Sequence, residues 1–408
     1  MHLLFAGLLF GAILTLWVNA VWPVTAFQVG IFALTTVTVL QHWRKVQLLA
    51  FPTLPCVVAV CLGAWQWVAH RTLDGYETRI AIVHWMTFAA VCVLCTSIFQ
   101  NAVTVRWLRT TMVLFAFLVA IVAILQTFTA EGKVFWLWPS ELTPQPLGPI
   151  LSRNHYAAFA EAVLPIALYQ CLRGKPWARF HALAAATLFA SVIVSASRAG
   201  AALAVAEIIA VPLLMRSRRL VGPRAWPSLG AVLGLVLVFG TIVGWQTIWD
   251  RFLLLDPAHG RWEFVTSTLR MIGDHPWFGV GLGTWTLAYP RYATVDLGTF
   301  VNQAHCDWLQ WTAEGGIPFG LLLLAFFLWG IRQGFRSIWG LGVAAVFLHA
   351  FVDYPFSRPA LGSWLLTLLC LTVVWPKRPA EPASPVAAAR SGVPSKPLPD
   401  VDFGLSGE

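Results

Sequence analysis

Five arginines stand beside long apolar segments, away from the basic clusters of the chain. They are Arg153, Arg198, Arg261, Arg270 and Arg291. A charged side chain at such a position costs free energy if it faces lipid, so it needs a compensating partner. The planar guanidinium group can donate to two oxygens of a phosphate at once. These arginines therefore predict an anion site, and a diphosphate attached to a lipid would lie at the depth of a membrane surface.

His305 is the main candidate for proton transfer, because histidine can accept a proton near neutral pH. Asp307 follows it by two residues, a spacing that turns the two side chains apart on a helix. Capping or packing of a helix is the alternative role for this histidine. The histidines of the chain show no ligand spacing such as HExxH, so the sequence predicts no metal site and no cofactor.

Polar residues next to the first arginine extend the predicted site. Asn154 and His155 follow Arg153 directly. Glu161 lies inside the next apolar segment, where a carboxylate indicates either a function or an ion pair. Arg153 and Arg198 are its candidate partners. Asp353, at a turn near the end of the apolar region, could cap a helix or pair with one of the arginines.

The composition requires membrane-spanning helices to position these residues. Hydrophobic residues make up 58% of the 408 and charged residues only 11%, whereas a soluble domain carries roughly 25% charged residues. We therefore predict an all-α polytopic membrane protein. A span needs about 20 apolar residues, which gives about twelve helices. Their predicted centres lie near Ile13, Phe32, Val57, Phe88, Phe117, Ala162, Leu188, Ile208, Leu237, Leu324, Val346 and Leu366.

Lysine and arginine in alternate short loops predict the orientation of the spans. The basic clusters fall on one side of the membrane, which is then the cytoplasmic side, and both termini lie on that side. The clusters are Arg44 and Lys45; Arg106 and Arg109; Arg173, Lys175 and Arg179; Arg216, Arg218, Arg219 and Arg224; Arg332 and Arg336; and Lys377 and Arg378. The five arginines of the anion site fall on the opposite, external side. Because the net charge of +9 is spread over these short clusters, nucleic acid is excluded as a partner.

The longest segment that cannot lie in lipid runs from Gly260 to Gly320. Most of it belongs to a large external loop, about residues 250–315, between the ninth and tenth predicted helices. Arg261 opens an amphipathic stretch within it, which predicts a short helix in the membrane interface. The glycines from Gly279 to Gly283 predict a tight turn.

The chain divides into a transmembrane domain and a short tail. The domain covers residues 1–375. Residues 376–408 are rich in Pro, Ala and Ser, and this composition predicts a disordered cytoplasmic tail.

Several short segments between Ser152 and Ala360 resemble the O-antigen ligase family of bacterial surface polysaccharide assembly. They read SRNHYAAFAEAVLPIAL, SASRAG, RWEF with HPWFGVGLGTW, AHCDWLQWTAEGGIPFG and LHAFVDYPFSRPA. The resemblance implies a GT-C-like membrane fold and an inverting, metal-independent glycosyltransferase. Such an enzyme moves a glycan from undecaprenyl diphosphate to lipid A–core on the periplasmic face of the bacterial inner membrane.

The resemblance also implies roles for particular residues. The essential arginines of the family match Arg198 and Arg261, and its histidine matches His305. The arginines would hold the diphosphate and stabilise its charge as it leaves, and the histidine would act as a base or orient the acceptor. The family often has asparagine where this chain has Cys306. The predicted substrate-binding residues are Arg153, Asn154, His155, Arg270, Arg291, Asp307 and Asp353.

The sequence leaves four other functions and the oligomeric state open. Within the family, a polysaccharide polymerase and a protein O-oligosaccharyltransferase differ from a ligase only in the acceptor. A transporter of a lipid-linked anion should place charges at the bilayer midplane and often contains inverted repeats. The sequence has no clear internal repeat and concentrates polar residues in one external loop, which favours an enzyme. A non-catalytic protein that binds the lipid carrier is the fourth alternative.

Overall fold

The computed structural model describes residues 1–42, 51–140, 143, 145–174, 177–222, 225–243, 258–296, 298 and 300–374. Across these ranges the chain is mainly helical. The strand pairing described is a hairpin of β1 (Lys133–Val134) and β2 (Trp138–Pro139), antiparallel and two residues long on each side. The predicted all-α class is confirmed.

The helices follow one another along the whole described chain. They are α1 (His2–Leu14), α2 (Trp22–His42), α3 (Leu54–Val68), α4 (Gly75–Ile98), α5 (Ala102–Thr129), α6 (Arg153–Glu161), α7 (Leu164–Leu172), α8 (Ala178–Val194), α9 (Arg198–Ser217), α10 (Ala225–Val243), α11 (Ala258–Asp274), α12 (Trp285–Tyr292), α13 (Asp307–Arg336), α14 (Leu341–His349) and α15 (Pro359–Val374). Short 3₁₀ turns at Ile338–Gly340 and Pro355–Ser357 precede α14 and α15.

Five of these helices are long and apolar enough to cross a membrane: α2, α4, α5, α9 and α13. Shorter apolar helices lie before, between and after them in the sequence, among them α1, α3, α8 and α15. The chain is therefore a multi-pass membrane protein. The total of twelve spans stays a prediction.

The predicted sixth span is not one continuous helix. Its predicted centre is near Ala162, but α6 ends at Glu161 and α7 begins at Leu164. Pro165 lies in the first turn of α7. Because proline lacks an N–H group, it cannot donate the helical hydrogen bond to the residue four positions earlier, Glu161, and the helix is interrupted at this point. The other predicted centres all lie inside described helices.

A short turn separates the seventh and eighth predicted spans, and the helix after it begins at an arginine. α8 ends at Val194 and α9 begins at Arg198. Ala196 between them has a positive φ of 54°. α9 then packs against α6 and α14, so the beginnings of α6 and α9 lie side by side.

The glycine-rich segment is a tight turn, as predicted, and it docks the α11–α12 region onto α13. The backbone N–H of Val280 donates to the carbonyl oxygen of Ala313 at 3.0 Å, and that of Gly281 donates to Glu314 at 3.1 Å. Gly279 has a φ of +68°, and a Cβ atom there would lie 2.3 Å from the backbone of Glu314. Glycine is therefore required for this close approach. The contact fixes α11 relative to the start of α13.

Some predictions concern residues that lie outside the described ranges. These are the tail at 376–408, residues 250–257 of the predicted loop, and the basic residues Arg44, Lys45, Lys175, Arg224, Lys377 and Arg378. The described part of that loop contains α11 and α12, two helices between α10 and α13.

Candidate active site

Three of the five predicted anion-binding arginines line a single cavity. Arg153 comes from the start of α6, Arg198 from the start of α9, and Arg261 from the first turn of α11. Both Arg198 and Arg261 lie close enough to Arg153 to interact with it electrostatically. The cavity has a volume of about 50 Å³. Three like charges around one small space repel each other, so the arrangement favours a multivalent anion between them.

Two of these arginines occupy the same position in their helices. Arg153 follows Ser152, and Arg198 follows Ser197; each serine is the N-cap residue of its helix. The serine hydroxyl oxygens accept backbone hydrogen bonds at 3.4 Å in α6 and 3.3 Å in α9. A helix N-terminus carries partial positive charge, so a cation there is unfavourable and an anion is favourable. The two helix ends therefore reinforce the arginines in attracting an anion.

Asn154 connects the elements that form the cavity. Its Oδ1 atom accepts a hydrogen bond from the Ser197 hydroxyl at 2.9 Å, and its Nδ2 group donates to Asp353 Oδ1 at 3.4 Å. Asn154 also lines the cavity. The side chain thus joins α6, the start of α9 and the segment after α14.

Asp353 is the buried centre of a cluster with two histidines. Its Oδ2 atom lies 3.7 Å from His155 Nε2, and its Oδ1 atom lies 3.7 Å from His305 Nδ1. Asp353 is 1% exposed. Burial alone would raise the pKa of its carboxyl group, but the interactions with His305 and His155 hold that pKa below its ordinary value. Asp353 is therefore ionised at neutral pH and stabilises positive charge beside it.

His305 is held in an unusual backbone conformation. Its φ is +54°, in the left-handed region that non-glycine residues seldom occupy. The imidazole ring stacks on Phe264 of α11, with 5.5 Å between the ring centroids, and its edge contacts Tyr354 at 4.8 Å. Such strained conformations cluster at functional sites, where the surrounding structure maintains them. His305 links α11 to the Asp353 segment.

The remaining predicted site residues lie away from the cavity. Arg270 and Arg291 are exposed, and the described lining of the cavity includes neither. Asp307 is buried at the start of α13, where its Oδ2 atom accepts a hydrogen bond from the Phe356 N–H at 3.0 Å. Its role in the structure is to fix α13 against the segment before α15.

Glu161 pairs with His349 and not with the arginines proposed from the sequence. Its Oε1 atom lies 2.7 Å from His349 Nδ1, and both side chains are fully buried. Glu161 ends the helix that Arg153 begins, so the two lie about 12 Å apart along the axis at 1.5 Å per residue. Arg198, whose helix starts beside that of Arg153, is at the same level as Arg153.

Residues 183–325 match the family model described as O-Antigen ligase. The resemblance to this family is confirmed. The matched residues include Arg198, Arg261 and His305, whereas Arg153 and Asp353 lie outside them. No curated protein matches the chain. The O-antigen ligase family comprises glycosyltransferases of the ligase and polymerase type.

Sequence reasoning missed three residues that lie around the arginine cavity and His305. Phe264 and Tyr354 contact the His305 ring, and His349 lines the arginine cavity. Burial raises the pKa of Tyr354 to about 12, and nearby Asp353 adds to that rise, so its hydroxyl stays protonated. The signal for His349 was present, since a histidine inside an apolar helix points to a function by the argument applied to Glu161.

Proposed function

We propose that this protein is an inverting, metal-independent glycosyltransferase with a GT-C-like membrane fold. It transfers a glycan from undecaprenyl diphosphate to lipid A–core at the periplasmic face of the bacterial inner membrane. The observation that carries the proposal is the convergence of Arg153, Arg198 and Arg261 on one cavity, next to the pair formed by His305 and Asp353.

The arginine cavity binds the diphosphate of the donor. Guanidinium groups and two helix N-termini surround the space, and both favour phosphate oxygens. When the bond between the sugar and the diphosphate breaks, negative charge accumulates on the leaving diphosphate. Hydrogen-bond donors fixed around that position stabilise the transition state more than they stabilise the bound glycan substrate. This difference is the condition for catalysis.

His305 activates the acceptor. With its Nδ1–H directed at the Asp353 carboxylate, its Nε2 atom carries a lone pair and accepts the proton of the acceptor hydroxyl. The hydroxyl oxygen forms a bond to the anomeric carbon as the bond from that carbon to the diphosphate oxygen breaks. Attack from the face opposite the leaving group inverts the anomeric configuration. Asp353 stabilises the imidazolium that forms.

A transfer assay tests the reaction directly. Purified protein in lipid nanodiscs is mixed with undecaprenyl-diphosphate glycan and lipid A–core, with and without EDTA. We expect glycan-bearing lipid A–core at an unchanged rate in EDTA, because arginines supply the positive charge that a metal ion supplies elsewhere. A lengthened glycan would identify a polymerase, and glycan on protein would identify an oligosaccharyltransferase. Absence of transfer to each of these acceptors would overturn the enzymatic proposal.

The orientation of the site is tested by cysteine labelling in intact cells. Asp296 is exposed shortly after α12, and Ser217 is exposed at the end of α9 opposite to Arg198. We expect a membrane-impermeant maleimide that reaches the periplasm to react with Asp296→Cys. The extent of labelling should exceed that of the parent protein. Ser217→Cys should react only after lysis. The reverse pattern would place the arginine cavity on the cytoplasmic side.

A further inference from the structure

We propose that His349, held by Glu161, is an additional ligand of the donor diphosphate. Its Nε2–H group donates a hydrogen bond to a phosphate oxygen in the arginine cavity. This inference rests on the proposed function, since it assigns a further residue to the same anion site. His349 is the last residue of α14 and Glu161 the last of α6, so neither lies in the predicted loop.

The contact between the two side chains fixes the orientation of the imidazole ring. His349 Nδ1 and Glu161 Oε1 are 2.7 Å apart, and both residues are 0% exposed. A carboxylate accepts hydrogen bonds at neutral pH and does not donate them, so Nδ1 carries a proton. The second nitrogen, Nε2, therefore points away from Glu161, across the ring.

The Nε2 atom of His349 is buried without a hydrogen-bond partner among the described residues. Buried polar atoms in proteins nearly always have a partner, so an unpartnered one calls for an explanation. His349 lines the same cavity as Arg153, Arg198 and Arg261. A ligand oxygen in that cavity would complete the hydrogen bonding of the ring.

The charges around His349 indicate the chemistry of that ligand. Burial disfavours the charged form of the His349 ring and Arg261 adds positive charge nearby, whereas Glu161 and Asp353 favour positive charge on the ring. An anion between His349 and the arginines would offset the charge of Arg261 and favour the imidazolium form. Imidazolium donates from both nitrogens, one toward Glu161 and one toward the ligand. The partner of Nε2 is therefore a phosphate oxygen of the same diphosphate.

Two substitutions separate this role from a structural one. In His349→Gln the amide N–H₂ lies near the place of Nε2, so the donor toward the cavity is kept and the contact with Glu161 is lost. In His349→Asn the amide lies near the place of Nδ1, so the contact with Glu161 is kept and the donor toward the cavity is lost. The pair thus removes one hydrogen bond of the ring at a time.

The measurement is the dissociation constant for undecaprenyl diphosphate in lipid nanodiscs, together with the donor KM. We expect His349→Asn to weaken binding about ten- to hundredfold, which is typical of losing a hydrogen bond to a charged group. His349→Gln should stay within about threefold of the wild type. If asparagine is tolerated and glutamine is not, His349 serves only to hold Glu161, and the inference is wrong.

A third variant covers the case in which the His349 variants fail to fold. Glu161→Gln keeps an oxygen that accepts the Nδ1–H bond but removes the charge that stabilises the imidazolium. We expect weaker diphosphate binding with an unchanged melting temperature, and unchanged binding would overturn the inference.

Arg153→Ala distinguishes the further inference from the proposed function. If the wild type binds diphosphate and Arg153→Ala weakens it, the anion site stands whatever His349 does; if the wild type binds none, the proposed function fails.

Discussion

Replacing Arg198 or Arg261 by alanine is expected to lower the rate of glycan transfer about 10²- to 10³-fold, as when one fixed donor to a developing oxyanion is removed. The two arginines approach the same cavity from α9 and α11. Each would donate to the diphosphate as its negative charge increases during bond breakage. The effect should therefore appear in kcat as well as in the KM for the donor. Steady-state transfer rates at several donor concentrations provide both values.

Arg270→Ala is the matched control for Arg261→Ala. It removes the same side chain from the same helix, but Arg270 is exposed and lies outside the described lining of the cavity. Its transfer rate should stay close to that of the wild type. Arg261→Lys should fall between wild type and alanine, because lysine keeps the charge but loses the planar fork of donors. A loss in Arg270→Ala as large as that in Arg261→Ala would argue against a specific anion site.

The arginines that line the cavity could be recognised from the sequence because they depend on local signals. Arginines beside apolar segments are recognisable wherever the chain folds, and the segment Ser195 to Arg198 reads as a turn from its composition. Helices are equally local, since a run of apolar residues bounded by polar ones predicts them. Even the break after Glu161 had a local cause in Pro165, which the apolar character of the surrounding residues obscured.

Partners far apart in sequence could not be predicted in the same way. The nearest carboxylate to His305 in the sequence is Asp307, but the structure directs Asp307 to the Phe356 backbone and brings Asp353 to the histidine. Because its φ is positive, the ring of His305 points in a different direction from the one it would have if α13 extended back to this residue. Packing of α14 against α6, which sequence periodicity does not specify, determines which side chains meet.

The pairing of Asp353 with His305 leads to the second large expected effect. Asp353→Asn should lower kcat for transfer about 10²- to 10⁴-fold, the range contributed by general acid–base catalysis. A carboxylate selects the tautomer of His305 with its proton on Nδ1, which leaves Nε2 able to accept the acceptor's proton. An asparagine amide can instead donate to Nδ1 and favour the opposite tautomer, in which Nε2 already carries a proton. The Asp353→Asn substitution also removes the negative charge that stabilises the imidazolium form of His305.

This effect should be separable from donor binding and from stability. Asp353 does not line the arginine cavity as described, so the donor KM should change far less than kcat. The ionised carboxylate also interacts with His155 and Asn154, so the variant should melt at a lower temperature at neutral pH. Because the folded-state pKa of Asp353 lies below its ordinary value, its stabilising contribution is present above about pH 4 and is lost as the pH falls through the folded pKa. The melting temperatures of wild type and variant should therefore converge in acid.

The control for this variant is Asp274→Asn, which removes a carboxylate at the exposed end of α11 and should leave kcat unchanged. The 3.7 Å separation between His305 Nδ1 and Asp353 Oδ1 is longer than a hydrogen bond, and such contacts commonly tighten when the substrate binds. An Asp353→Asn protein that transfers glycan at the wild-type kcat would mean that this tightening does not occur. His305 would then orient the acceptor without accepting its proton, and the stabilisation of the leaving diphosphate by the arginines would account for the catalysis.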